Sequence, residues 1–223
     1  MLSVRGLRKS YGGTRAGAVL CDVTLEVARG ELVAIMGESG VGKSTLLNLI
    51  AGLDTPDSGR IEIDGIDLGA LDDSGRTRLR RDRLGFVFQA FHLLPHLTVT
   101  QNVRLPLDLA GIGRAEADRR TAAVLDAAGI AALARDYPRT LSGGEAQRAA
   151  IARALVHEPA VVLADEPTGN LDEDSAAEVL ALLRDGVKQR AGSGILVTHS
   201  EAAARTADRV YVLTRAGLAE RAA

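Results

Sequence analysis

Cysteine is almost missing from this chain. Cys21 is the only one in 223 residues, so no internal disulfide can form and a reducing compartment is expected. Long apolar runs are missing too. No stretch approaches eighteen uninterrupted apolar residues, the length a membrane-crossing helix needs. Met1 to Gly13 contains no apolar signal core, so secretion is not indicated. Neither sign of charge dominates: 27 Lys+Arg face 29 Asp+Glu, a net charge of -2. A dedicated nucleic-acid binder would show a basic excess, so no nucleic-acid partner is expected. Lys9, Lys43 and Lys188 are the only lysines, and alanine is abundant; both read as coding bias. There is no internal repeat, low-complexity tract or long linker. What remains is a balanced globular composition, 46% hydrophobic and 25% charged.

Short apolar runs recur and stop at polar or glycine corners. Leu32 to Met36 stops at Gly37, Phe86 to Phe88 at Gln89, Val161 to Ala164 at Asp165, and Ile195 to Thr198 at His199. Runs this short and apolar on both faces suit parallel strands covered by helices. In such sheets ligands bind beyond the carboxyl ends of the strands, so the four corners are expected on one edge. Leu2 to Leu7, Val23 to Val27 and Ile61 to Asp64 instead alternate apolar and polar residues, the period of half-buried antiparallel strands. From about Phe91 to Leu155 the pattern favours helices, with Arg114 to Ala128 ended by Gly129. The fold class is therefore α/β, one mixed core with a helical insertion. The expected division is an α/β core with a β subdomain over 1–88 and 156–223, interrupted by a helical segment over 89–155.

Gly37-Glu38-Ser39-Gly40-Val41-Gly42-Lys43-Ser44-Thr45 fits the phosphate-loop pattern. It follows a strand-like run and opens a helix-like one, Leu46 to Ile50. Curled glycines turn several N–H groups inward as an anion nest, and the helix N-terminus adds partial positive charge. Lys43 suits the β- and γ-phosphates, and the Ser44 hydroxyl suits Mg²⁺. Asp165-Glu166 is the expected second half. The strand brings Asp165 to the sheet edge, where it can hold the metal. Glu166, one residue on, can polarise a water as general base; the pair also reads as a loop cap before Pro167. Leu141-Ser142-Gly143-Gly144-Glu145 precedes a helix-like stretch, Ala146 to Leu155. Ser142 and Glu145 form a capping-box pattern, and the same geometry offers glycine N–H groups to a second anion.

With these motifs in order the chain resembles the ATP-binding subunits of ABC transporters. The resemblance runs end to end: Tyr11, the loop Gly37 to Thr45, Gln89, the signature Leu141 to Glu145, Asp165-Glu166, Asn170-Leu171-Asp172 and His199. It implies a P-loop (RecA-like) core with an antiparallel β subdomain and an inserted helical subdomain. It also implies the roles. Tyr11 stacks on adenine. The loop from Gly37 through Thr45 holds the phosphates of ATP. Ser44, Gln89 and Asp165 serve Mg²⁺. Glu166 is the base and His199 contacts the γ-phosphate. Ser142, Gly143 and Gly144 reach the nucleotide of an opposite subunit, and Asp172 lies in the loop between subunits. A homodimer would then hold ATP at its interface.

Asp165 to Asp172 and Phe91 to Thr98 narrow the resemblance to the branch of lipoprotein-release, macrolide-efflux and cell-division ATPases (LolD, MacB and FtsE types). There the partner is often a four-helix transmembrane permease, and the ATPase sits on the cytoplasmic face of the cell membrane. Glu145 departs from this pattern, standing where Gln is common. The C-terminus, Arg221-Ala222-Ala223, is short, so no regulatory domain is expected.

Other classes fit less well. A DNA-repair ABC ATPase carries a long coiled coil between phosphate loop and signature, and no sustained heptads stand there. A translation-type protein has two cassettes, and this chain shows one. A GTPase would show Asn-Lys-x-Asp, which is absent. The expected function is an ATPase driving a separate permease, for export or mechanotransmission. A soluble non-transport ABC ATPase and a cell-division signalling ATPase stand as the alternatives. Phe91, Leu93, Leu94 and Leu97 read either as core of the helical segment or as part of a permease groove.

Overall fold

The computed structural model describes residues 1–12 and 17–221. Gly13, which ends the Met1 to Gly13 stretch read above, and Ala222 and Ala223 lie outside them. Ten strands and seven α-helices are present among the described residues. Strands β1 (Leu2–Tyr11), β2 (Gly17–Val27), β4 (Ser58–Ile63) and β5 (Ile66–Asp67) make an antiparallel sheet in the order β2-β1-β4-β5. Its alternation buries Leu2, Val4, Val23, Leu25, Val27, Ile61 and Ile63. Strand β1 runs further than its alternation predicts. Three register shifts carry it past Leu7 to Tyr11, so Tyr11 closes a strand and is not a free loop residue.

The second sheet has six strands, in the order β10-β9-β3-β8-β7-β6. They are β3 (Leu32–Met36), β6 (Leu84–Phe88), β7 (Val161–Asp165), β8 (Ser193–Val197), β9 (Arg209–Thr214) and β10 (Gly217–Glu220). All pairings are parallel except β9 with β10. The register Phe88↔Asp165↔Val197↔Ile35 levels the carboxyl ends of β6, β7, β8 and β3. The four polar corners thus do share one edge.

Side chains on successive strand residues point to opposite faces, and each face has its own core. Val33, Ile35, Val161, Leu163, Ile195 and Val197 join the antiparallel sheet and helix α1 (Lys43–Ile50) in one cluster. Leu32, Val87, Val162, Ala164 and Leu196 join the helical layer in the other. That layer is α3 (Val99–Leu109), α4 (Arg114–Ala127), α5 (Gly143–Leu155) and α6 (Glu173–Gln189). Leu46, Leu49 and Ile50 of α1 are at most 1% exposed; each contributes about 1.5–3 kcal/mol of burial. Helix α2 (Asp73–Arg83) precedes the edge strand β6, and α7 (Glu201–Ala204) follows β8. Strand β6 meets α5 main chain to main chain: a Cβ on Gly85 would lie 2.2 Å from the Ala154 carbonyl oxygen.

Helix α5 starts three residues before the apolar pattern predicts. Ser142 is its N-cap and forms a full capping box with Glu145. A second capping box, Thr98 with Gln101, starts α3.

Candidate active site

The phosphate loop runs from β3 into α1. Gly42, the residue before the helix, has φ 112, a conformation open to glycine and strained for other residues. A Cβ there would also press Val19 Cγ1 at 2.9 Å. Lys43 Nζ donates to the carbonyl oxygens of Gly37 (2.7 Å) and Glu38 (2.9 Å), which holds the ammonium over its own loop. Ser44 Oγ donates to Asp165 Oδ2 at 3.2 Å across 121 positions of sequence. Burial pushes the Asp165 carboxyl above its usual range and the neighbouring Glu166 charge adds to this, while the Ser44 hydrogen bond opposes it.

Glu166 sits in the left-handed region at φ 47, a cost met where surrounding structure fixes the backbone. Its N–H donates to Val197 O at 2.9 Å, tying it to the end of β8. His199 grips its carboxylate twice: Nδ1 is 2.9 Å from Oε1, and the backbone N–H donates to Oε2 at 3.3 Å. Gln89, beyond the end of β6, exchanges hydrogen bonds with Asn170. Its Nε2 donates to Asn170 Oδ1 (3.2 Å), and Asn170 Nδ2 donates to its carbonyl (3.1 Å).

A cleft of about 810 Å³ gathers these groups. Tyr11, Ser39, Gly40, Gly42, Lys43, Ser44, Thr45, Gln89, Asp165, Glu166 and His199 all line it. Gly37, Glu38 and Val41 lie behind, in a second hollow beside the β9–β10 turn. Ser142, Gly143 and Gly144 line neither cavity. They stand at the start of α5, with Ser142 and Gly143 exposed and Gly144 buried against Ser175. Asp172 caps α6, accepting from Ser175 N at 2.9 Å and Ser175 Oγ at 2.8 Å.

The cleft's size lies within the usual range for ligand sites, and its chemistry fits a nucleotide with Mg²⁺. A hydroxyl and a carboxylate converge as hard oxygen donors, and Mg²⁺ is commonly held by one or two such groups together with substrate phosphates. Among the described residues no cluster of three or more His, Cys, Asp or Glu could hold a metal by itself.

Three contributors have no local signal in the sequence. Asp54 accepts from both Tyr11 and Lys9. Gln147, fully buried on α5, donates to Pro167 O (2.7 Å) and Phe88 O (3.3 Å), bridging the ends of β7 and β6. Arg153 donates to the carbonyls of Phe91 (2.9 Å) and His92 (2.6 Å), two consecutive residues held at positive φ. None of Phe91, Leu93, Leu94 and Leu97 is fully buried, and Leu94 is 43% exposed. Leu93 packs against the helical-layer cluster. An apolar groove does share Phe88 and His92 with the cleft, but Leu84, Phe86, Leu105 and Leu109 line it instead of these four, with Arg80 and Arg153.

Known proteins resemble the whole of this arrangement. The family model for ABC transporters matches residues 20–169. The chain is 45% identical to the lipoprotein-releasing system ATP-binding protein LolD of Legionella pneumophila (strain Paris), over 98% of this chain and 96% of that one. It is 46% identical to the methionine import ATP-binding protein MetN 2 of Burkholderia mallei, over 95% of this chain. The chain spans only 54% of that relative's length. Among solved structures, the dimeric ATP-binding cassette MJ0796 in a post-hydrolysis state with ADP and Pi superposes with a TM-score of 0.88 at 39% identity, covering 99% of this chain and 98% of that one. The likeness expected from the signature, the phosphate loop and the acid pair therefore holds along the full cassette, and the chain belongs to the ABC transporter family as one of its ATP-binding cassettes.

Proposed function

We propose that this chain binds and hydrolyses ATP and drives a separate membrane permease. The single observation that carries the hydrolysis is the meeting of Ser44 with Asp165 in the cleft that also holds Lys43 and Glu166. Each residue has one task. Lys43 and the loop N–H groups neutralise the phosphate oxygens. Ser44 and Asp165 would hold Mg²⁺, and Gln89 lines the same cleft. When bound, the ion neutralises charge on the β- and γ-phosphates. Glu166 takes the proton of the attacking water, and His199 fixes the carboxylate that takes it. Tyr11 supports adenine. Ser142 and Gly143, exposed at a helix N-terminus, with Gly144 buried behind them against Ser175, complete the site of a second copy in a head-to-tail homodimer. Release of phosphate from ATP with Mg²⁺, measured against a Glu166→Gln control, tests this reading. Wild-type release no greater than the control's overturns it.

The transport role draws on the LolD likeness over almost the full length of both chains. On this reading the chain works at the cytoplasmic face of the cell membrane, as a peripheral subunit. No helix among the described residues is long and apolar enough to cross a membrane, so the spanning part belongs to the permease, of the four-helix kind common in that branch. The groove under Arg80 and Arg153 is the permease contact. It shares Phe88 and His92 with the cleft, so on this reading occupancy of the cleft and the shape of the permease are linked through one segment. Purification of the chain from membranes together with a multi-span protein is the test of this part.

A further inference from the structure

The exposed ring of Tyr11 is held by a construction of three residues. Tyr11 Oη donates to Asp54 Oδ2 at 2.7 Å. Lys9 Nζ donates to Asp54 Oδ1 at 2.8 Å and to Thr55 O at 2.7 Å. The same ammonium stands 4.9 Å from the centroid of the Tyr11 ring, within cation–π reach. Asp54 is itself fixed by the Thr55 N–H, 2.7 Å from Oδ1. It lies just beyond α1, after the Gly52 turn, where Gly52 and Leu53 donate back to the helix. The helix that begins in the phosphate loop therefore ends beside the anchor of the aromatic ring.

We infer that Asp54 is a positioning residue for base recognition: it holds the Tyr11 hydroxyl while Lys9 covers one ring face, leaving the other face to a purine in the cleft. Asp54's role rests on Tyr11 being the base contact of the proposed ATPase. The physical reason is preorganisation. A tyrosine on the surface loses rotamer freedom when a base stacks on it, and a ring already fixed loses less. Lys9 is 11% exposed in its side chain and Asp54 30%, so the ion pair is partly shielded from solvent and holds its geometry better than an open surface pair. Tyr11 is 44% exposed and lines the cleft that holds Lys43 and Ser44, so ring and phosphate loop address the same ligand.

The test compares ATP with inorganic tripolyphosphate, which lacks a base, by calorimetry on the full chain. Asp54→Ala is expected to weaken ATP roughly tenfold, within the worth of one base stacked on an aromatic ring, and to leave tripolyphosphate unchanged. Tyr11→Phe, which keeps the ring and loses its anchor, is expected to match it. The double variant is expected to be no weaker than either single one. Asp54→Asn keeps an acceptor for the hydroxyl and is expected to recover part of the loss. Equal loss of both ligands in Asp54→Ala means a damaged fold and overturns the role. Unchanged ATP affinity in Asp54→Ala, with a loss in Tyr11→Ala, overturns it while sparing the base contact. Unchanged ATP affinity in Tyr11→Ala removes the base contact and Asp54's role with it, and leaves the phosphate loop untouched.

Discussion

His199 Nδ1 stands 2.9 Å from Glu166 Oε1, while the His199 backbone N–H reaches the other oxygen of the same carboxylate. Glu166 is thereby held at both carboxylate oxygens by one residue, at the edge of the cleft. Replacing it with Gln keeps the shape and removes the base. Turnover is expected to fall by about 10²–10⁴, the usual worth of a positioned general base, with ATP still bound. The variant is expected to run as a dimer with ATP by light scattering. Near-normal turnover would take Glu166 out of the catalytic role.

Lys43 reaches its own loop carbonyls through Nζ and presents a charge where phosphate is expected. Lys43→Ala is expected to weaken ATP binding itself, by roughly 10–100-fold for a lost charge-assisted contact of about 1.5–3 kcal/mol. Calorimetry on the folded variant measures it. Unchanged affinity would sink the assignment of the loop.

Burial raises the Asp165 carboxyl, and the sign of the effect follows from linkage. A carboxyl with a raised folded pKa favours folding below its unfolded value, usually 3.8, and that contribution is lost as pH rises through the folded value. At pH 7 the buried charge therefore costs stability. Asp165→Asn is expected to raise Tm at pH 7, by roughly 2–4 °C per kcal/mol relieved, and to abolish turnover. The gain should shrink as the pH is lowered into the carboxylate range. A gain that stays constant with pH would mean that charge is not its source.

Gln147 satisfies the carbonyls of Pro167 and Phe88 from inside the protein. Gln147→Ala strands both acceptors. A loss of about 1–3 kcal/mol is expected, read as a lower urea midpoint with an unchanged slope. An unchanged midpoint would mean that the two strand ends hold themselves.

Leu109 is 61% exposed on the rim of the groove beside α3. Leu109→Glu is expected to leave the stability and isolated turnover of the chain unchanged and to abolish co-purification with the permease. Retained co-purification would move the contact off this groove.

The motifs legible in the sequence are those whose chemistry is local. Gly37 to Thr45 carries its nest, charge and hydroxyl within nine consecutive residues. Val161 to Asp165 advertises a buried strand ending in a carboxylate, and Ser142 with Glu145 forms its capping box four residues wide. What stayed hidden depends on partners far along the chain. Nothing near Asp54 marks it as the anchor of Tyr11, 43 positions away. Gln147 reads as one more polar residue of α5 until β6 and β7 are seen to end beside it. Helix α2 has no apolar stripe to betray it, since only Gly75 and Leu79 are buried. The order of the second sheet, with β3 between β8 and β9, rests on long-range pairings that no local period encodes. The alternation marked for β1 stops at Leu7, and the three shifts of register that carry the strand on to Tyr11 depend on its pairing with β2.

Gly85 has a mechanical meaning. Where β6 and α5 touch, no side chain lies between the Gly85 Cα and the Ala154 carbonyl, so the joint has nothing soft in it, and close-packed interiors yield little under load. Strand and helix are built as a close joint, like the two arms of a lever. One arm ends beside Gln89 and the other begins at Ser142. Any residue larger than glycine at this fulcrum would pry the two arms apart and put play into the lever.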